Sequence, residues 1–217
     1  MKAGDTNLLP SFFGMTSCII TGGIGCGKTF LTARLHTLLE SDAEIFSSDE
    51  MARSIMDEPG TQSLLADTFG VSILETEESA SRVSRSKLRD LVFRDKVARE
   101  KLEAVIHPGV LAALEMRRRQ AREAGAELFL AEVPLHYEIG ESVKADLVIV
   151  VATSRTVQAG RLMERRGLDD AIIEQILRSQ WPIEAKVEKA DMVIWNDGDL
   201  AAFEAQVLTL ARQFRQA

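Results

Sequence analysis

Cysteine is scarce: Cys18 and Cys26 are the only two in 217 residues. Two thiols form no disulfide framework and no paired zinc-ligand spacing, so stapled and zinc-ribbon folds are excluded and a reducing, cytoplasmic compartment is expected. Long hydrophobic runs are lacking too. None approaches the roughly 20 residues that span a bilayer, so no membrane partner is expected. The stretch 1–14 contains Leu8, Leu9, Phe12 and Phe13 but no sustained apolar signal segment. It is expected to be a disordered leader, with Met15 as a second candidate start. Positive charge is in deficit. A formal net charge of −7 gives no global basic field, so nucleic acid is not an expected partner, although a local basic pocket remains compatible with it. The rest is ordinary: 46% hydrophobic residues and this length fit one soluble α/β domain with a small insertion.

Strand-like and helix-like segments alternate. Apolar runs at 17–21, 44–47, 127–133, 146–152 and 191–195 read as five strands, and the clearest is Asp-Leu-Val-Ile-Val-Val-Ala. Leu31, Leu35, Leu38 and Leu39 recur at helical spacing over 29–40, and a last helix is expected over about 200–214. Continuous apolar strands separated by helices predict a parallel sheet covered on both faces. The fold class is therefore α/β, a five-stranded parallel sheet with helical additions. Residues 61–124 break the rhythm: they are mostly helical with no convincing strand, and are expected to be an inserted substrate-binding subdomain. The core is then 15–60 and 125–217, with a second, arginine-rich helical insertion at about 155–189.

One motif carries chemistry. Gly22-Gly23-Ile24-Gly25-Cys26-Gly27-Lys28-Thr29 matches G-x-x-x-x-G-K-[ST], after a strand and before an amphipathic helix. Glycines let the backbone approach phosphate oxygens, successive N–H groups point inward as an anion nest, and the helix adds its positive end. Lys28 can reach the β- and γ-phosphates, and the Thr29 hydroxyl can ligate Mg²⁺. ATP with Mg²⁺ is the ligand this predicts.

Other residues read two ways. Asp49, at the C-terminal end of the second strand, suits a base that takes an acceptor hydroxyl's proton, and equally a plain N-cap. Arg161 and Arg165 share a helix face that can close over phosphates as a lid, or can be a solvated face near a helix end. Arg117, Arg118, Arg119 and Arg122 read as a charged solvent face. His107-Pro108 reads as a step that ends one helix and starts the next. Glu132, on the third strand, can hold a metal-bound water or be a plain acid at a strand end. Cys26, at a helix N-terminus, is expected to be an acidified, reactive thiol that bound ATP protects.

Taken in order, these elements resemble the dephospho-coenzyme A kinase family. The resemblance covers about 19–198. It rests on the loop, on Asp49 and Arg53 after the second strand, on Arg85, Leu88 and Phe93 ahead of a helix, and on Ile106-His107-Pro108. It continues through Val133-Pro134-Leu135-His136-Tyr137-Glu138, then Gln158, Arg161 and Arg165, then Gln180, Lys186, Ala190-Asp191, Ile194 and Asn196-Asp197-Gly198. Ser47 stands where the family has a first Asp, Cys26 where Ser is commoner, and His136 where the family has Leu. The resemblance implies transfer of the ATP γ-phosphoryl group to the ribose 3′-hydroxyl of dephospho-coenzyme A. It also implies Asp49 as base, Arg161 and Arg165 in a lid, Asn196 near adenine, and Arg53, Arg85 and His107 near the acceptor. A monomer or weak homo-oligomer is expected. The rivals are another nucleoside or nucleotide kinase and a P-loop regulatory switch. The Asp-x-x-Gly and Asn-Lys-x-Asp signatures usual in such switches are not visible at plausible positions.

Overall fold

The computed structural model describes residues 14–77, 80–140, 143–167 and 169–216. The side chains of 41, 76, 77, 80, 81, 93, 165 and 166 are outside that description. The proposed leader 1–14 lies outside it but for Gly14, as does the Phe93 side chain of the family pattern.

The chain divides into two compact units, Met1–Ser47 with Arg117–Ala217, and Ser48–Met116. The first holds a parallel sheet of β1 (Thr16–Gly22), β2 (Ala43–Ser47), β5 (Leu128–Glu132), β6 (Leu147–Ala152) and β7 (Met192–Trp195), in the order β2-β5-β1-β6-β7. All four pairings are parallel. These are the five strands expected from the apolar runs. β1 and β5 are buried along their whole length, as strands covered on both faces must be. The covering helices in this unit are α1 (Lys28–Leu39), α6 (Arg155–Arg166), α7 (Asp170–Arg178), α8 (Ile183–Lys189) and α9 (Leu200–Phe214). Leu31 and Leu35 of α1 and Phe203, Val207 and Leu210 of α9 join Ile20, Leu130 and Ile149 in one core. Side-chain caps start three of these helices: Ser154 accepts from the Val157 N–H, Asp169 from Ile172 and Asp199 from Ala202.

The second unit contains α2 (Ser48–Asp57), α3 (Pro59–Phe69), the hairpin strands β3 (Leu74–Glu77) and β4 (Ala80–Val83), α4 (Arg85–Arg94) and the first part of α5 (Lys96–Glu123). The unit begins at Ser48 and ends at Met116, whereas the helical pattern in the sequence suggested 61 and 124. Leu65, Ile73, Val83 and Leu88 form its own small core. Two sequence expectations are corrected here. The region is not strandless: β3 and β4 pair antiparallel, and Ile73 just before β3 and Val83 at the end of β4 are buried in that core. Nor does His107-Pro108 separate two helices, since both residues lie inside α5. Proline removes one N–H and strains one turn. The buried residues Ile106, Val110, Ala113 and Leu114 keep one apolar face continuous through that turn. Among the described residues no helix is long and apolar enough to cross a membrane.

Candidate active site

The loop between β1 and α1 has positive φ at Gly22, Gly25 and Gly27, at 141°, 76° and 102°. Gly22 has a second constraint: a Cβ there would lie 2.1 Å from the Val151 carbonyl oxygen on β6. Only glycine satisfies both.

What fixes the loop is the fate of its carbonyls. Lys28 Nζ donates to the carbonyls of Gly22 at 3.1 Å and Gly23 at 2.9 Å. The Ile24 carbonyl accepts from Gln158 Nε2 at 2.8 Å. The Gly25 carbonyl accepts from Arg161 Nη1 at 3.0 Å, and the Cys26 carbonyl from Asn196 Nδ2 at 2.8 Å. Five successive carbonyls are thus held by side chains. Because a trans peptide points its N–H opposite to its C=O, each tied carbonyl fixes the direction of one N–H group. That is the requirement of a phosphate nest.

Asn196 is 6% exposed and is itself bound, its carbonyl accepting from Arg161 Nη2 at 2.9 Å and from Thr153 Oγ1 at 3.0 Å. Asp197 accepts from Thr153 Oγ1, from the Ser154 N–H at 2.7 Å and from Trp195 Nε1 at 3.0 Å. These bonds, that from Thr153 first, hold its carboxyl below the usual aspartate range. Sequence reasoning matched Asn196 and Asp197 only through the family pattern. Their polar ties run between distant segments, which spacing cannot reveal.

Thr29 Oγ1 donates to Glu132 Oε1 at 3.1 Å. Glu132 is buried at the end of β5, in register with Ile20 of β1 and Ser47 of β2. A hydroxyl and a carboxylate oxygen are the donors that Mg²⁺ takes from a protein when phosphates supply others. Among the described residues no cluster of three or more His, Cys, Asp or Glu forms a metal cage.

The Cys26 expectation is corrected. Its thiol is fully buried, and burial raises its pKa against the lowering effects of Lys28 and of backbone bonds from Gly23 and Thr153. It is a packing residue of the core.

In α6, the Arg161 guanidinium lies on the loop backbone as described, while the Arg165 side chain lies outside the described residues. Arg155 and Arg178 both bind Glu174, at 2.5 and 2.7 Å, and hold its carboxyl low. A cavity of about 260 Å³ opens beside the loop, lined by Gly23, Arg155, Gln158, Arg178, Gln180 and Trp181 among others. A cavity of about 670 Å³ lies at the other end of the sheet, near Thr16 and Leu128, and none of the expected site residues lines it.

The second unit brings together some expected acceptor residues. Asp49 and Arg53 lie one turn apart on α2, both exposed. Asp49 is inside the first turn of α2, not the cap before it. Arg85 Nη2 donates to the Arg53 carbonyl at 3.2 Å and to Asp57 Oδ2 at 2.5 Å, which ties α4 to α2. His107 is half-buried on α5, two residues before Gly109, whose position against Ile55 of α2 leaves 3.0 Å for a Cβ.

Sheet order and loop define a class: with the P-loop strand β1 central and a carboxylate on its neighbour β5 touching the P-loop hydroxyl, this is a P-loop kinase fold. A family model described as dephospho-CoA kinase matches residues 17–202. The chain belongs to the dephospho-CoA kinase family. It is 35% identical over 193 residues to the dephospho-CoA kinase of Syntrophotalea carbinolica, covering 88% of each chain. It is 36% identical over 181 residues to that of Anaeromyxobacter dehalogenans, covering 82% of each. Among solved structures, a Thermus thermophilus protein superposes with a TM-score of 0.74 at 28% identity, over 92% of this chain and 98% of that one. Dephospho-CoA kinase from Campylobacter jejuni gives 0.61 at 27% identity, over 94% and 99%.

Proposed function

We propose that this chain transfers the γ-phosphoryl group of ATP to the ribose 3′-hydroxyl of dephospho-coenzyme A, giving ADP and coenzyme A. The observation that supports it best is a phosphate loop with five successive carbonyls tied by side chains, in a member of this family. The loop N–H groups and Lys28 hold the phosphates. Thr29, with Glu132 beside it, would hold the Mg²⁺ that accompanies ATP, whose charge would offset that of the phosphates. A ribose hydroxyl is too weakly acidic to ionise beforehand. Asp49 therefore orients it and accepts its proton late, as the oxygen bonds to a metaphosphate-like phosphorus and the bond to ADP breaks. Arg53, Arg85 and His107 hold the acceptor. Arg161 and Arg165, one turn apart on α6, bring positive charge to the transferring group, and Asn196 lies near the adenine of ATP. The setting is cytoplasmic, the chain a monomer or weak homo-oligomer, and neither nucleic acid nor membrane takes part.

The test is Mg²⁺-dependent ADP release from ATP, with and without dephospho-coenzyme A, with the product's mass measured. The expected result is release that needs the acceptor and yields coenzyme A. ADP release that ignores this acceptor and follows another hydroxyl compound in a panel would overturn the assignment.

A further inference from the structure

Ile24, at the tip of the phosphate loop, has both its backbone polar groups taken by glutamines. Its N–H donates to Gln180 Oε1 at 2.8 Å, and its carbonyl accepts from Gln158 Nε2 at 2.8 Å. We propose that Gln158 and Gln180 are positioning residues that clamp the two peptide groups flanking Ile24, and so set the loop's phosphate-binding conformation from the segment 155–189. The inference rests on the kinase reading above and adds two residues to it.

The geometry follows from peptide planarity. The Ile24 N–H belongs to the peptide that carries the Gly23 carbonyl. Held outward by Gln180, that peptide turns the Gly23 carbonyl the other way, to where Lys28 Nζ lies 2.9 Å from it. The Ile24 carbonyl belongs to the peptide that carries the Gly25 N–H. Held by Gln158, that peptide turns the Gly25 N–H away from α6, as an inward-facing nest requires. Neither peptide can flip without losing its glutamine. An amide side chain offers both a neutral donor and a neutral acceptor, and here one glutamine uses each.

Both glutamines are fixed in turn. Gln158 is buried in α6, and its Nε2 would be 2.3 Å from a Cβ at position 23, so Gly23 is what admits it. Gln180 lies between α7 and α8, and the N–H of its neighbour Trp181 donates to Glu138 at 2.9 Å. Glu138 pairs at 2.7 Å with Lys186, which is fully buried. The Ile24 side chain packs on Leu162 of α6 and Ile173 and Leu177 of α7. The tip is therefore held to this segment by its side chain and by both of its backbone polar groups. A displacement of α6 or of the α7–α8 turn relative to the loop must break a bond that shapes the nest.

The test is binding by titration calorimetry of Mg²⁺ with adenylyl imidodiphosphate, and of AMP, to Gln158→Met, Gln180→Met and the double variant. No acceptor is present, so the outcome is independent of which hydroxyl the enzyme phosphorylates. Each single variant is expected to weaken the triphosphate analogue about 3- to 10-fold, the scale of one lost hydrogen bond, with AMP affinity within about 2-fold of wild type. The double variant should lose less than the product of the two, because both act through Ile24. Gln158→Glu keeps the side chain's shape but sets a carboxylate oxygen against the Ile24 carbonyl, so it should lose at least as much as Gln158→Met, and melting temperatures measured beside wild type separate poor folding from loss of the clamp. Unchanged analogue affinity, equal losses for AMP, or losses that simply multiply would each overturn the clamp. Wild-type protein that fails to bind the analogue would overturn the kinase reading and the clamp together.

Discussion

Lys186 offers a quantitative test of how the loop is supported. Its side chain is 0% exposed, and its ammonium lies 2.7 Å from Glu138 Oε1, with Glu138 14% exposed. The same oxygen accepts the Trp181 N–H, and the Trp181 ring stacks on Tyr137 at 5.8 Å. Glu138 Oε2 is buried with no hydrogen-bond partner among the described residues, so the carboxylate depends on what meets Oε1. Lys186→Met removes the cation and keeps most of the volume. It leaves a buried carboxylate uncompensated, which costs about 3–5 kcal/mol, against about 0–1 kcal/mol for an exposed pair. At about 2–4 °C per kcal/mol for a chain of this size, the midpoint should fall by roughly 6–20 °C. Adding Glu138→Gln removes the stranded charge while keeping an acceptor for Trp181, so the double variant should be more stable than Lys186→Met alone. Urea denaturation of the four proteins gives the cycle. A loss below about 1 kcal/mol for Lys186→Met, the value of a surface pair, would refute the argument. So would a double variant less stable than the single one.

Gly22→Ala should yield protein that is insoluble or destabilised by roughly 4 kcal/mol or more, since its Cβ would meet the Val151 carbonyl at 2.1 Å with φ at 141°; a soluble variant with the wild-type melting temperature contradicts this. Asp49→Asn should keep ATP affinity and lose about 10²- to 10⁴-fold in turnover; wild-type turnover would remove Asp49 from its role. Lys28→Ala should weaken ATP binding and turnover together, and an unaffected enzyme would sink the loop assignment. Asp197 carries a pH signature. Its pKa is depressed in the folded state, so its stabilisation is present above the unfolded value of about 3.9 and is lost as pH falls through the folded value. Asp197→Asn should therefore lie below wild type in urea midpoint at neutral pH and converge with it in acid. A gap that stays constant with pH would count against the shift.

What the sequence made legible follows from how locally each feature is determined. The five core strands are mostly apolar runs, β1 and β5 buried along their whole length, and the loop is a contiguous motif, so both could be read along the chain. The β3–β4 hairpin could not. Leu74–Glu77 and Ala80–Val83 are short, half-polar segments without a recognisable turn pair, and Val83 at the end of β4 is buried in one core with Leu65, which is distant along the chain. Pro108 misled for the opposite reason: its local rule is sound, but the apolar face through Ile106 and Val110 outweighs one missing hydrogen bond. Cys26 shows the same limit in chemistry, because a helix N-terminus is visible in sequence and the burial that overrides it is not. The site divides along the same line. Lys28 and Thr29 could be named from the motif, but the groups that orient the loop come from positions 158, 161, 180 and 196. Each binds one backbone atom of the loop, a contact that leaves no periodicity and no spacing. The phosphate nest is thus specified twice: locally by glycines that permit its dihedrals, and at long range by side chains that select among them.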